Sequence, residues 1–229
     1  MAKSTKYILS LFICFISCNI SYSQDWANLK RFQEANYSLM ETAKNKNRVV
    51  LMGNSITEGW SIYRPEFFEG KSYINRGIGG QTTPQMLLRF RQDVIDLKPA
   101  IVVILAGTND IAGNTGPMTL EQIRDNILSM VELAQSNNII PIVASVLPAF
   151  DYPWRPGLQP NIKIPKLNAM LFKISNEKKI MYLDYFTAMA DENNGLPKAL
   201  ASDGVHPTKE GYKIMEKLLE KAISDSLKN

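Results

Sequence analysis

The chain has 229 residues, 45% of them hydrophobic, with a formal charge of +4. That length fits one domain with a sizeable core better than two. One histidine and two cysteines exclude a metal site rich in His or Cys, and so small a charge lacks the basic footprint of a nucleic-acid binder.

Residues 1–23 stand apart from the domain. Lys3 and Lys6, the apolar run YILSLFICFISCNI and small residues ahead of Gln24 read as a secretory signal, too short and poorly flanked for a membrane span. The domain then runs over 24–229, and the mature protein is secreted or periplasmic. A second route makes Cys18 a lipid anchor, because FIS before it resembles a lipoprotein box, although Phe15 stands where Leu is usual. Cleavage after Ser23 removes Cys14 and Cys18 and, with Lys3 and Lys6, two positive charges. Disulfides and thiolate metal sites are then excluded, as is a charge footprint for an anionic membrane. The expected partner is a small molecule or a glycan.

From Trp26 to Lys44 the pattern is amphipathic. Beyond it RVVLM, SYINRGI, IVVILAG, IIPIVASVL and IMYLDYF read as strands. Helical patterns alternate with them at TPQMLLRFRQDVIDL, TLEQIRDNILSMVELAQSN, near IPKLNAMLFKISNEK, and from Pro207 to about Leu227. Strands apolar throughout and separated by helices predict an α/β fold with a parallel sheet covered on both faces.

In such a sheet ligands bind beyond the carboxyl ends of the strands. The loops that follow strands are Gly53-Asn54-Ser55, Gly77-Ile78-Gly79-Gly80 and Gly107-Thr108-Asn109-Asp110, and a fourth segment, SDGVHPTKEGY, holds His206. An imidazole base must therefore be His206. Asp203, three residues earlier, is placed to orient it and to stabilise the imidazolium formed when Ser55 gives up its proton. Serine needs such a base, since its hydroxyl is hardly ionised near neutral pH. Backbone amides at Ser55 and in the Gly-rich loop, with the Asn109 side chain, are suitable donors to an oxyanion.

Each of these residues also has a plainer reading. Ser55 could be a helix N-cap in a capping box with Glu58, and His206 could merely precede a helix opened by Pro207. Asp203 could cap a turn, Gly79 and Gly80 could serve a tight turn, and Asn109 could brace a loop. Asp110 reads as a loop brace, and Asp184 as a loop anchor rather than a second catalytic acid.

GNSIT at 53–57, GIGGQTT at 77–83, GTND at 107–110 and DGVHP at 203–207 resemble, in order and spacing, the four blocks of the SGNH or GDSL hydrolase superfamily. The resemblance implies a flavodoxin-like three-layer sandwich with a five-stranded parallel sheet, and catalysis without metal or cofactor. It makes Ser55 the nucleophile, His206 the base and Asp203 the triad acid, with Ser55, Gly80 and Asn109 forming the oxyanion hole. The first block departs from the usual Gly-Asp-Ser, because Asn54 replaces the acid.

The loop AFDYPWRPGLQP, residues 149–160, is stiffened by prolines and offers Tyr152, Trp154 and Arg155 for substrate contact. A lid packed on the core is the alternative. The expected function is removal of a short acyl group, acetyl foremost, from a carbohydrate. NRGIGGQTT is also similar to platelet-activating-factor acetylhydrolase-type esterases. The rivals are a lysophospholipase or thioesterase with a longer acyl slot, and a noncatalytic glycan-binding protein.

Overall fold

The computed structural model describes residues 24–41 and 47–228. The readings of residues 1–23, including Cys14 and Cys18, lie outside them. Five strands, β1 (Val49–Gly53), β2 (Tyr73–Gly77), β3 (Ile101–Leu105), β4 (Ile140–Ala144) and β5 (Met181–Leu183), form one sheet in the order β2-β1-β3-β4-β5, all parallel. This is the flavodoxin-like order, in which strand order reverses beside β1.

Alternate strand residues feed two cores. Val50, Met52, Val102, Ile104 and Val143 pack with Met86 and Phe90 of α3 (Thr83–Asp93), Ile123 and Ile127 of α5 (Leu120–Ser136), and Leu167 and Leu171 of α6 (Pro160–Lys178). Val49, Leu51, Ile101, Val103 and Ile142 pack instead with Ile56 and Trp60 of α2 (Ser55–Tyr63), Tyr185 of α7 (Tyr185–Met189), and Met215 and Leu219 of α8 (Lys209–Ser226). Burial on both faces is why β1, β3 and β4 carry no polar side chain, whereas the edge strand β2 holds Asn75 and Arg76. The architecture is a three-layer α/β sandwich, as expected.

Register then aligns the loops. Gly53 pairs with Gly77 on one side and Leu105 on the other, so β1, β2 and β3 end level. The segments that follow them open on one edge of the sheet.

The amphipathic stretch from Trp26 is helical only over α1 (Gln33–Glu41) among the described residues. Before it, the Asp25 carboxylate accepts the amides of Leu29 (2.7 Å) and Lys30 (3.0 Å) and turns the chain. The fourth strand also stops short, at Ala144. Past it, the Asn168 amide accepts from Val146 N–H (2.8 Å) and donates to the Val146 carbonyl (3.0 Å), replacing a strand neighbour with a helix side chain. Hydrophobicity continues to Leu147 because burial does, although sheet pairing has ended.

Candidate active site

β1 delivers the chain to Asn54, which caps α2 by accepting the Ile56 amide on Oδ1 (3.1 Å). Ser55 is thus the first helical residue and not the cap. Its hydroxyl lies 2.9 Å from Nε2 of His206. The cap also explains how Asn serves in place of Asp, since an amide oxygen accepts the same bond. Glu58 takes no part in a capping box. Its Oε2 accepts the Gly79 amide (2.9 Å) and its Oε1 pairs with Arg31 (3.4 Å).

His206 sits just before α8, whose cap is the Thr208 hydroxyl. Its Nδ1 lies 2.6 Å from Oδ2 of Asp203, while Oδ1 of Asp203 accepts the amides of Val205 (2.9 Å) and His206 (2.8 Å). Partial burial works to raise the Asp203 carboxyl, but the hydrogen bonds from the His206 ring and the two amides outweigh it and hold the group below its ordinary value. A carboxylate only accepts, so the ring proton belongs on Nδ1 and Nε2 faces Ser55 as the acceptor.

The loop after β2 brings Gly79 and Gly80 alongside. A side chain at Gly77 would run into the Glu58 backbone, so β2 can approach α2 this closely only without one. Gly80 adopts φ +75°, a conformation that glycine takes without steric cost, and its carbonyl accepts from Asn114 Nδ2 (3.0 Å). Asn109 is buried at the start of the short helix α4 (Thr108–Ile111), where its Nδ2 donates to the Gln81 carbonyl (2.9 Å). That leaves a second N–H on the same nitrogen.

Asp110 braces the same loops. Its Oδ1 accepts both the amide (2.8 Å) and the hydroxyl (2.6 Å) of Thr83, while burial raises its carboxyl against the effect of those bonds. Asp184 caps α7 through the Thr187 amide (3.0 Å) and meets Ser145 Oγ at 3.5 Å, a loop anchor as expected.

Sequence reasoning missed the polar network beneath these loops. Arg89 of α3 is fully buried and donates to Gln81 Oε1 (2.6 Å), Asp93 Oδ2 (2.9 Å) and the carbonyls of Gly53 (3.1 Å) and Arg76 (2.9 Å). Asn36 of α1 donates to the other Asp93 oxygen (2.7 Å) and accepts from Arg76 (2.7 Å). One guanidinium thereby ties the strand end before Ser55 to the residue whose carbonyl holds Asn109. The signal was available, since Met86, Arg89, Phe90 and Asp93 fall on one helical face.

The substrate loop needs a correction. Tyr152 is fully buried, with its hydroxyl 2.9 Å from Thr108 Oγ1, so it cannot touch a substrate. Arg155 is exposed, but its Nη1 donates to the carbonyls of Ala112 and Gly113, each at 2.7 Å. Trp154 stacks on Tyr152 with ring centroids 5.2 Å apart, lies 6.0 Å from the His206 ring and stays 45% exposed.

A hydroxyl, an imidazole and a carboxylate in series, beside a loop of glycine amides at the edge of a parallel sheet, form a constellation suited to acyl transfer. Comparison with known proteins agrees. The sequence model of the GDSL-like lipase/acylhydrolase family matches residues 51–214, and the chain belongs to that family. It is a carboxylic ester hydrolase.

A candidate acylhydrolase of Bacteroides fragilis NCTC 9343 has a solved structure similar to this one. Its TM-score is 0.86 at 49% identity, covering 90% of this chain and all of that one. The isoamyl acetate-hydrolyzing esterase of Saccharomyces cerevisiae is 26% identical over 205 residues, 77% of this chain and 85% of its own. A shorter match, 37% identical over 81 residues, is to the uncharacterized lipoprotein YqeF of Bacillus subtilis and spans 34% of this chain and 33% of that protein.

Proposed function

We propose that Ser55, His206 and Asp203 form a catalytic triad that removes short acyl groups, acetyl foremost, from a carbohydrate. The observation that carries this reading is the continuous series from Ser55 Oγ to His206 (2.9 Å) to Asp203 (2.6 Å). His206 Nε2 takes the serine proton as Oγ bonds to the ester carbonyl carbon. Negative charge develops on the carbonyl oxygen, where the amides of Ser55 and Gly80 and the free N–H of Asn109 stabilise it. As the C–O bond breaks, His206 returns the proton to the departing alkoxide. Water then repeats the sequence on the acyl-serine, which releases the acid and restores the hydroxyl.

The cavity beside the Gly79–Gly80 loop supports a polar alcohol as the other half of the ester. Its volume is about 740 Å³, and its lining includes Asn28, Gln85, Asn114 and Thr115, with no run of aliphatic side chains. The yeast relative is named for an acetate ester, which points to a short acyl group. Export fits a surface or extracellular glycan ester. It rests on the leader reading of residues 1–23, with Cys18 as the lipid-bearing alternative. Among the described residues, no helix is long and apolar enough to cross a membrane.

The test is hydrolysis of aryl esters of increasing acyl length by the chain from Gln24 onward, with Ser55→Ala alongside. The reading requires acetate to be cleaved fastest and Ser55→Ala to abolish turnover. Preference for long chains would transfer the protein to the lysophospholipase or thioesterase class. Turnover unaffected by Ser55→Ala would remove the triad.

A further inference from the structure

The segment ahead of α1 is fastened to the oxyanion side of the site. The Trp26 carbonyl accepts from Gln85 Nε2 (2.6 Å) and the Ala27 carbonyl from Gln81 Nε2 (2.8 Å), with Ala27 buried beneath. Held by its backbone, Trp26 leaves its side chain 47% exposed. It lines the same cavity as Gly79, Gly80 and Trp154, the last 45% exposed. Two half-exposed indoles in one polar-lined cavity are a costly arrangement in water, and it calls for a ligand with both apolar faces and hydroxyls.

We propose that this cavity is the subsite for the alcohol part of the ester and that it takes a pyranose ring, with Trp26 as a stacking platform supplied by the N-terminal segment. The inference rests on the acyl-transfer reading above. His206 hands its proton to the leaving oxygen, so the alcohol lies on the His206 side of the reacting carbonyl. Trp154 links that side to the cavity, since its ring is 6.0 Å from His206 and it also lines the cavity.

The lining distinguishes a sugar from an alkyl chain. Arg155 is committed to the carbonyls of residues 112 and 113, and Gln81 and Gln85 to the N-terminal backbone. Asn28 remains as a partner for ring hydroxyls, together with the amide oxygen and second N–H of Asn114, whose first N–H holds the Gly80 carbonyl, and the remaining capacity of the Thr115 hydroxyl, which also meets Thr82 Oγ1 at 2.9 Å. An alkyl chain would strip water from these groups and return no hydrogen bonds. A pyranose offers C–H faces to the indoles and a rim of hydroxyls to the amides.

The experiment compares kcat/KM on a panel of mono-acetylated methyl pyranosides with kcat/KM on ethyl acetate, for wild type, Trp26→Ala and Trp26→Phe. The subsite predicts that the sugar-to-ethyl ratio falls about tenfold in Trp26→Ala and is largely restored in Trp26→Phe, as loss and return of one aromatic platform require. Equal loss on both substrates in Trp26→Ala, or an unchanged ratio, overturns the subsite while the carbohydrate reading stands. A wild type that favours no sugar ester over ethyl acetate overturns the carbohydrate reading itself, and the subsite with it.

Discussion

Oε2 of Glu58 accepts the amide of Gly79 at 2.9 Å, so the helix that carries Ser55 also holds the loop that carries Gly80. The two lie one helical turn and one residue apart from the groups they position. Glu58→Ala should lower kcat by about tenfold or more, with less effect on KM, because in the proposed mechanism Gly80 is an oxyanion donor and small displacements of such a donor are felt mostly in the transition state. Glu58→Gln keeps an acceptor and should recover most of the rate. Steady-state kinetics of the two variants check this. Equal loss in both would mean that the Arg31 ion pair, not the Gly79 bond, is what matters.

Asp203 is expected to act through its charge. Asp203→Asn should cost on the order of 10⁴-fold in kcat, as a mis-set imidazole tautomer does. The sign of its pH effect follows from the depressed carboxyl. The anion persists down to pH values below the ordinary carboxylate range. Any contribution of the Asp203 pair to folding is present above the unfolded carboxyl value and lost as pH falls through the folded one. Steady-state kinetics checks the rate loss, and denaturant unfolding of both proteins across the acid range checks the linkage: the stability difference between wild type and Asp203→Asn should shrink as pH falls through the folded carboxyl value, and a constant difference would contradict it.

Arg89→Met should destabilise the fold by about 3–5 kcal/mol, because it leaves the buried Asp93 carboxylate without its cation. Denaturant unfolding measures the loss. A change below about 1 kcal/mol, the scale of an exposed ion pair, would show that the network is not the brace its geometry implies.

Tyr152→Phe isolates the corrected part of the substrate loop. It removes a hydroxyl that meets Thr108 in the core and should cost about 1 kcal/mol in stability. The preference between acyl esters should not change, which rate ratios on two esters will show.

The sheet and most of the site were legible in the sequence for one reason: both depend on local pattern. Unbroken runs such as IVVILAG follow from a strand buried on both faces, Ser55 and Asn109 come just after β1 and β3, and His206 stands just ahead of α8. What failed to show was tertiary. Tyr152 looked available in a proline-rich loop, yet Thr108 draws its hydroxyl inward. Glu58 had the spacing of a capping box, yet Asn54 already supplies the cap and Gly79 offers a better partner. Arg89 could have been found from the helical period, but its four acceptors come from segments as distant as Gly53 and Gln81, and no periodicity lists them.

The central claim is that Ser55 is the nucleophile, and covalent trapping tests it most directly. The protein would be treated with an alkyl fluorophosphonate, which phosphonylates an activated serine with loss of fluoride, and the adduct located by mass spectrometry of its peptides. One adduct on Ser55, absent from Ser55→Ala and strongly slowed in His206→Ala, is the expected result. No adduct, or one that persists in Ser55→Ala, would contradict the account.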